Sequence, residues 1–177
     1  MAFLQLKKAS LAFGDRDILV DADLTLSAER RVALAGTNGS GKTTLLRLLA
    51  GVVPPDSGQL LRSPSLRVAY LPQSGIVAGQ GSVYEDAERA FDRQRVLELE
   101  AQLLTEQAAE APPEQALLLL TKSHELQELL EADGWYRKRE LVEQTLRGLG
   151  FSSEELERPV ATLSGGWQMR VALARCL

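Results

Sequence analysis

The stretch GTNGSGKTT, residues 36–44, separates two apolar segments of the chain. It fits the pattern G-x-x-x-x-G-K-[ST], with Gly36, Gly41, Lys42 and Thr43 at the defined positions. Glycine carries no side chain, so backbone N–H groups in such a loop can approach a phosphate group closely. The lysine would reach the outer phosphates, and the threonine hydroxyl would bind a magnesium ion.

The segments on either side of this loop predict a strand and a helix. The short apolar run before it, residues 32–35, is typical of a buried strand that stops at a glycine. After it, leucines recur at helical spacing, which predicts a helix that begins near Lys42. The positive N-terminal end of this helix would also favour a bound phosphate.

Composition places modest limits on the class of protein. The chain has 177 residues, a net charge of −4 and a single cysteine. Disulfide stapling is therefore excluded, and we expect a cytoplasmic protein rather than a secreted one. No apolar stretch reaches membrane-spanning length, and the charge gives no sign of direct DNA binding.

The chain divides into segments with two different sequence patterns. Residues 1–81 contain short strand-like runs, FLQL, ADLTLS, GQLLRS and LRVAYLP, separated by turns, whereas residues 82–150 are helical in pattern. The pair of prolines in APPEQ, residues 111–115, separates two helices and predicts a helical hairpin. A third helix is predicted over EADGWYRKRELVEQTLRGLGF, residues 131–151.

Helical spacing also identifies candidate buried faces in the hairpin. In its first helix Val96, Leu99 and Leu103 recur at steps of three and four, and in its second helix Leu126 and Leu130 do the same, with Leu119 a heptad earlier. The segment 82–150 holds fifteen acidic and eight basic side chains. This excess of acid is consistent with a solvated helix surface and disfavours contact with nucleic-acid phosphates.

A second glycine-containing motif, LSGGWQMR, occupies residues 163–170. Ser164 is a suitable helix N-cap, and the two glycines after it expose backbone N–H groups at a helix start. Taken alone, this motif is better explained as a plain helix cap.

The loop GTNGSGKTT, then YLPQ (residues 70–73), then LSGGWQMR resemble in this order the motifs of an ATP-binding cassette ATPase. The segments GSVYEDA and SSEELERPVATLSGGWQMR, and the tryptophan after the two glycines, resemble more narrowly the ABC-F branch. The helical insert is similar to the arm that ABC-F proteins carry in their first cassette. The resemblance implies an α/β fold, in which a P-loop nucleotide-binding core carries an N-terminal antiparallel β layer and an inserted helical hairpin arm.

The resemblance also implies a role for individual residues. Phe13 matches the aromatic residue that stacks on adenine, although a core phenylalanine at a strand end is the alternative. Lys42 and Gln73 match groups of the catalytic site, and Thr43 and Gln73 match the ligands of Mg²⁺. Contacts with ATP are implied for Gly36, Thr37, Asn38, Gly39, Ser40, Gly41, Lys42, Thr43 and Thr44. The signature that grips an ATP held by an opposing cassette is matched by Ser164, Gly165, Gly166 and Gln168.

In this family the signature helix is followed by the Walker B strand, which ends in an aspartate, then by a catalytic glutamate and a switch histidine. These three have no counterpart in the 177 residues, so the resemblance covers the front part of a first cassette. We expect three segments: residues 1–81 as the first part of the ATP-binding core, 82–150 as the arm and 151–177 as the signature segment. We also expect this chain alone to expose an apolar sheet edge, to bind ATP poorly and not to hydrolyse it.

In the complete ABC-F protein, the expected partners are a second cassette in the same polypeptide and the ribosome. Two alternatives remain open. One is the ATPase subunit of an ABC transporter, whose insert would contact membrane-spanning partners. The other is a nucleotide-gated binding module with little turnover.

Overall fold

The computed structural model describes residues 2–27, 30–64, 66–73 and 81–177. Its internal contacts divide the chain into two compact units, residues 1–70 and residues 71–177. The sequence also predicts a glycine-rich connector, QSGIVAGQGS, over residues 73–82, and most of it lies outside the described residues. The three-segment division stays a prediction.

The first unit contains a three-stranded antiparallel sheet and one helix. Strands β1 (Phe3–Phe13) and β2 (Arg16–Ser27) form a hairpin, and β3 (Ser57–Arg62) pairs with the other side of β1, so that the order is β2-β1-β3. Helix α1 spans Lys42–Ala50. The predicted antiparallel layer and the helix that begins near Lys42 are therefore confirmed.

The core of this unit lies between β1 and α1. Alternate residues of β1 point to one face, and a bulge after Leu6 shifts the register so that the alternation continues from Ala9. Leu48 and Leu49 of α1 complete the cluster. The core thus joins the helix that follows the glycine loop to the central strand of the sheet. The fully or nearly buried members are Leu4, Leu6, Ala9, Leu11, Leu48 and Leu49.

Two of the predicted strands are wrong. Residues 32–35 and 66–72 have no regular secondary structure, and Val32 is 66% exposed. A strand requires a neighbour to bond its N–H and C=O groups, and no described residue forms a ladder with either segment. Apolar composition alone therefore does not make these segments strands here.

The second unit is helical. After α2 (Val83–Glu88) the chain forms a long antiparallel hairpin of α3 (Asp92–Glu110) and α4 (Pro113–Ala132). Pro113 occupies the first turn of α4, where its missing N–H has no cost, so the predicted break at the proline pair is confirmed. Helices α5 (Lys138–Gly148) and α6 (Gly165–Ala174) follow.

The two helices of the hairpin meet along a heptad seam rich in small side chains. On α3 the seam is formed by Gln94, Leu97, Ala101, Leu104 and Ala108. On α4 it is formed by Leu119, Ser123, Leu126 and Leu130, as the spacing predicts.

The predicted buried face of α3 is wrong. Val96, Leu99 and Leu103 are all more than half exposed, because the seam next to them, centred on Ala101, packs against α4 instead.

The predicted third helix is interrupted. Helix α4 ends at Ala132, Gly134 adopts a left-handed conformation with φ 77°, and a single 3-10 turn leads into α5. A non-glycine residue is strained at this φ, so the Asp-Gly pair ends the helix locally. Beyond it, α2, α5 and α6 share one apolar core at the root of the hairpin, formed by Val83, Ala87, Val142, Leu146, Phe151, Val160, Val171 and Ala174.

Candidate functional site

The loop at residues 36–44 has a backbone that requires glycine. Gly39 and Gly41 have φ values of 79° and 92°, in the left-handed region that other residues adopt only with strain. Gly41 is also the N-cap of α1, and a Cβ atom there would lie 2.6 Å from the Ile18 side chain. The loop can therefore enter α1 at this angle only if residue 41 has no side chain.

Lys42 holds the loop in a ring. Its Nζ donates hydrogen bonds to the carbonyl oxygens of Gly36 (2.9 Å) and Thr37 (2.7 Å). The ammonium group thus lies inside the curve of the loop, beside the N-terminal end of α1. The first N–H groups of a helix have no acceptor within the helix, so Lys42 and these donors present positive charge at one place.

A pocket of about 350 Å³ opens at this loop. Its polar side is the loop itself, including Thr37, Ser40 and Lys42, and its apolar side comes from Ile18 and Leu19 of β2. No sequence motif marks the two β2 residues, which line the pocket because the fold brings β2 next to the loop.

The donor set of the loop fits a polyphosphate. Backbone N–H groups and an ammonium are groups that bind phosphate oxygens. Because glycine at position 41 avoids a clash with Ile18, the loop can curve around a phosphate group and direct these donors towards it. The Thr43 side chain is exposed at the start of α1, where a hydroxyl can bind Mg²⁺. The residues present therefore fit both ATP and magnesium.

Two further predicted site residues are exposed. Phe13 ends β1 and is 56% exposed, so the alternative reading as a core phenylalanine is not supported. Gln73 is exposed and belongs to the second unit. Its joint magnesium site with Thr43 and the adenine contact of Phe13 stay predictions.

The signature motif starts α6. Ser164 is the N-cap with extended backbone (φ −65°, ψ 157°), but its side chain accepts no hydrogen bond from the first turn. Gly165 and Gly166 are exposed helical residues, and a Cβ on either would meet no atom within 4 Å. Serine and glycines at this helix start therefore leave an open, polar surface.

Gln168 has a different position from its three neighbours in the motif. Its Nε2 donates to the carbonyl oxygens of Leu163 (3.0 Å) and Val160 (3.4 Å) in the preceding turn. It therefore fixes the path of the chain into the signature.

Sequence reasoning missed the contacts on the far side of this helix. Trp167 packs against Phe151, and the Arg170 guanidinium lies over the Trp167 ring. An aromatic residue and an arginine three positions apart on one helix were the available signal, because i and i+3 side chains are neighbours.

A buried carboxylate, Asp86 of α2, pairs with an arginine at the C-terminal end of α6. It is 3% exposed and lies between Arg89 (3.5 Å) and Arg175 (3.6 Å). A buried charge is costly without partners, and the two partly exposed arginines supply these partners from the edge of the core. None of the described helices combines the length and the apolar character needed to cross a membrane.

Known proteins match this chain over most of its length. A family model described as "ABC transporter" matches residues 19–177. The chain is 34% identical over 177 residues to the uncharacterized ABC transporter ATP-binding protein YfmM of Bacillus subtilis, covering 100% of this chain and 34% of that protein. It is 35% identical over 175 residues to the tylosin resistance ATP-binding protein TlrC of Streptomyces fradiae, covering 98% of this chain and 32% of that protein.

A human relative matches to a similar degree. ATP-binding cassette sub-family F member 3 is 33% identical over 180 residues, covering 98% of this chain and 23% of that protein. The chain thus spans about a third of the length of the first two curated relatives and less of the human one.

Solved structures agree on the fold. A dimeric bacterial ABC transporter cassette superposes with a TM-score of 0.60 at 18% identity, covering 98% of this chain and 68% of that one. An ATP binding subunit of an ABC transporter gives a TM-score of 0.61 at 18% identity, covering 98% and 60%. With the phosphate loop, the signature and the family match in agreement, the chain belongs to the ABC transporter family of ATP-binding cassette ATPases, and its curated relatives include members of the ABC-F branch.

Proposed function

We propose that this chain is the front part of the first cassette of an ABC-F protein that binds and hydrolyses Mg·ATP in the cytoplasm and acts on ribosomes. The observation that carries the ATP role is the ring formed by residues 36–44 around the Lys42 ammonium, at the N-terminal end of α1. The observation that favours the ABC-F branch is the long helical hairpin between Gln73 and the signature.

In this proposal the side chains of the first unit bind one ATP. Lys42 exchanges its contacts with the loop carbonyls for the outer phosphate oxygens, which are stronger, charged acceptors. Thr43 and Gln73 hold Mg²⁺, which neutralises the phosphate charge when bound. Phe13, half-exposed at the end of β1, offers its ring to the adenine.

The signature serves a second ATP, held by an opposing cassette of the complete protein. None of the described residues requires glycine at positions 165 and 166, since their φ values are ordinary and no described atom lies within 4 Å of a Cβ placed there. In this proposal, glycine is required at these two positions because the opposing cassette and its ATP approach them closely. The free Ser164 side chain is available to the same cassette.

Residues 1–177 alone are proposed to be inactive in hydrolysis. Phosphoryl transfer requires a metal held from two sides and an oriented water. Thr43 and Gln73 supply one side only, and none of the 177 residues matches the acidic metal ligand or the catalytic glutamate of the family.

The hairpin is proposed to engage the partner rather than the nucleotide. Between residues 92 and 132 it has nine acidic and three basic side chains, so its partner contacts are not made by a basic surface on phosphates. Because Gln94 near the start of α3 hydrogen-bonds Asp133 after the end of α4 (2.9 Å), the two ends of the hairpin are adjacent. A short linker can therefore replace it.

The experiment compares two forms of the full-length protein in ribosome co-sedimentation. One is the parent, and in the other a short Gly/Ser linker replaces residues 92–132. We expect the linker form to bind ATP as the parent does and to lose most of its co-sedimentation. Equal co-sedimentation of the two forms would remove the ribosomal role of the hairpin.

The transporter subunit is the second candidate, and the observation that favours it is the fold likeness to transporter cassettes. It predicts that the hairpin binds a membrane-spanning protein. Failure of the parent protein to co-sediment with ribosomes, together with recovery in detergent-solubilised membranes, would favour this candidate.

A further inference from the structure

Trp167, at the start of the signature helix, contacts the end of the hairpin root rather than the nucleotide surface. Its ring packs edge-on against Phe151, with centroids 4.8 Å apart and planes at 67°. The Cζ atom of Arg170 lies 4.3 Å from the centroid of the Trp167 ring. The pair is therefore held in a fixed stack, which combines aromatic and cation–π attraction.

Arg170 also bonds to the backbone at the end of α5. Its Nη1 donates to the carbonyl oxygen of Leu149 at 3.0 Å. A Cβ atom on the next residue, Gly150, would lie 2.9 Å from the same nitrogen, and Gly150 has a φ of 96°. The turn after α5 thus has both the conformation and the free space that the guanidinium needs. Trp167, Arg170, Leu149 and Phe151 form what we call the root clamp.

A second tie lies at the other end of α6. Arg175 and the buried Asp86 of α2 form an ion pair with a distance of 3.6 Å. The clamp at Arg170 and this ion pair are separated by five residues, or about 7.5 Å along a helix. A helix fixed at two points cannot pivot independently of the elements that hold it.

The elements that hold α6 also carry the hairpin. Between α4 and α5, Trp135 is buried, packs near Phe91 (6.5 Å between centroids) and lies under the Lys138 ammonium at 3.8 Å. The Gln94–Asp133 hydrogen bond joins the two hairpin helices to each other, and the Trp135 contacts join the residue before α3 to the start of α5. These contacts, and the core that α2, α5 and α6 share, form a continuous path from the hairpin to α6.

We propose that Trp167 and Arg170 are positioning residues, which fix the signature Ser164–Gly166 to the root of the hairpin and so make ATP turnover depend on the hairpin's partner. The functional part of this inference rests on the proposed function. The mechanical part, that the hairpin and the signature move together, does not.

The mechanical part is tested in the full-length protein by electron–electron distance measurements. Spin labels are placed on single cysteines at two exposed positions, Gln107 near the tip of α3 and Ala161 before the signature, in a background without other reactive cysteines. We expect a narrow distance distribution in the parent and a clearly broadened one in Arg170→Met and Trp167→Leu. An unchanged distribution in both variants would overturn the proposal.

The functional part is tested by steady-state ATPase assays with and without salt-washed ribosomes. We expect Arg170→Met to reduce the ribosome-dependent change in kcat at least threefold, with KM for ATP within twofold of the parent. Trp167→Phe, which keeps an aromatic ring against Phe151, should restore most of the response that Trp167→Leu loses. A full response in Arg170→Met would overturn the coupling to turnover.

The matched control is Arg147→Met. Arg147 pairs with Glu143 on the surface of α5 (3.1 Å), so this variant removes an arginine from the same root without changing the side chains of the clamp. It should behave as the parent in both experiments. If ribosomes fail to alter turnover in the parent itself, the proposed function fails, and the distance measurement alone decides whether the clamp exists.

Discussion

Two helices of this protein begin at glycine-rich motifs, and they use glycine for opposite reasons. At α1, Gly41 has a left-handed backbone and lies against Ile18, so the chain itself excludes a side chain. At α6, Gly165 and Gly166 are ordinary helical residues with open space around them. At the first motif, packing within the fold requires glycine. At the second motif, the proposed requirement comes from a partner outside the chain.

The polar side chains at the two helix starts differ in the same way. Lys42 is already bonded to two carbonyl oxygens of its own loop, whereas Ser164 makes no capping bond. Substitutions at the first motif should therefore change the fold and ligand binding, and those at the second should mainly change function. This contrast can be measured at five places.

The largest effect is expected for Lys42→Ala. Loss of charge-assisted contacts with the phosphates should weaken ATP binding by about 1.5–3 kcal/mol, or roughly 10- to 150-fold. Calorimetry on the full-length protein measures this, with Lys122→Ala on the exposed side of α4 as the control. Equal affinity of Lys42→Ala and the parent would remove the assigned role of Lys42.

Gly41→Ala should destabilise the first unit. A non-glycine residue in the left-handed region costs about 1–3 kcal/mol, and the 2.6 Å approach of Ile18 adds to this. Urea unfolding of the variant should give a lower midpoint, and Ile18→Ala in the same chain should recover part of the loss. A midpoint equal to the parent's would mean that the loop has another conformation.

A sharper comparison is provided by Ser82 and Ser164, the N-caps of α2 and α6. Ser82 forms a capping box with Glu85, so Ser82→Ala should cost about 1 kcal/mol of stability. Ser164 accepts no such bond, so Ser164→Ala should cost only a few tenths of a kcal/mol. Denaturant midpoints measure both, and equal losses would show that Ser164 is a structural cap after all.

Gly165→Ala and Gly166→Ala should each stabilise the chain. Alanine is favoured over glycine in a helix by about 0.5–1 kcal/mol, and no atom in the described part of the chain opposes the added methyl group. In the full-length protein the same variants should lower ATP turnover, because the methyl group occupies the open surface. A stabilised variant with parental turnover would show that no partner approaches these glycines.

The smallest effect concerns the loss of folding stability at acid pH. Backbone and side-chain hydrogen bonds from Ser152 lower the pKa of Glu155 below its ordinary value of 4.5. The contribution of this carboxylate is thus present above that value and is lost as the pH falls through the lowered pKa. Glu155→Gln should show a weaker loss of stability than the parent between pH 5 and pH 3, measured by urea midpoints, and parallel curves would contradict this assignment.

The sequence predicted best those features that depend on neighbouring residues. Gly41, Lys42 and the helix after them follow from local conformation and spacing, and so does the break at Pro113. The strand at residues 32–35 was predicted wrongly, because a strand is defined by its partners and none pairs with it among the described residues.

The hairpin shows a second kind of limit. Val96, Leu99 and Leu103 and the adjacent seam residues both follow helical spacing, so periodicity predicts the helix but cannot choose its buried face. Likewise, the bond from Arg170 to Leu149 joins residues 21 positions apart, and local patterns carry no information about such a contact. The loop could be predicted from the sequence, whereas the clamp required the three-dimensional structure.

The small side chains of the hairpin seam have a mechanical consequence. Ala101 and Ser123 allow the two helices to approach so closely that the serine hydroxyl donates to a carbonyl oxygen of the opposite helix at 2.9 Å. Two helices joined in this way bend less than one, and a helix of 19 residues is roughly 28 Å long. A stiff lever of that length converts a displacement of about 5 Å at its tip into a rotation of about 10° at its base, or about 1.3 Å over the 7.5 Å between the two ties on α6. Hydrogen-bond lengths vary over less than that, so in the proposed coupling a modest push on the distant end is enough to make or break a bond at the signature.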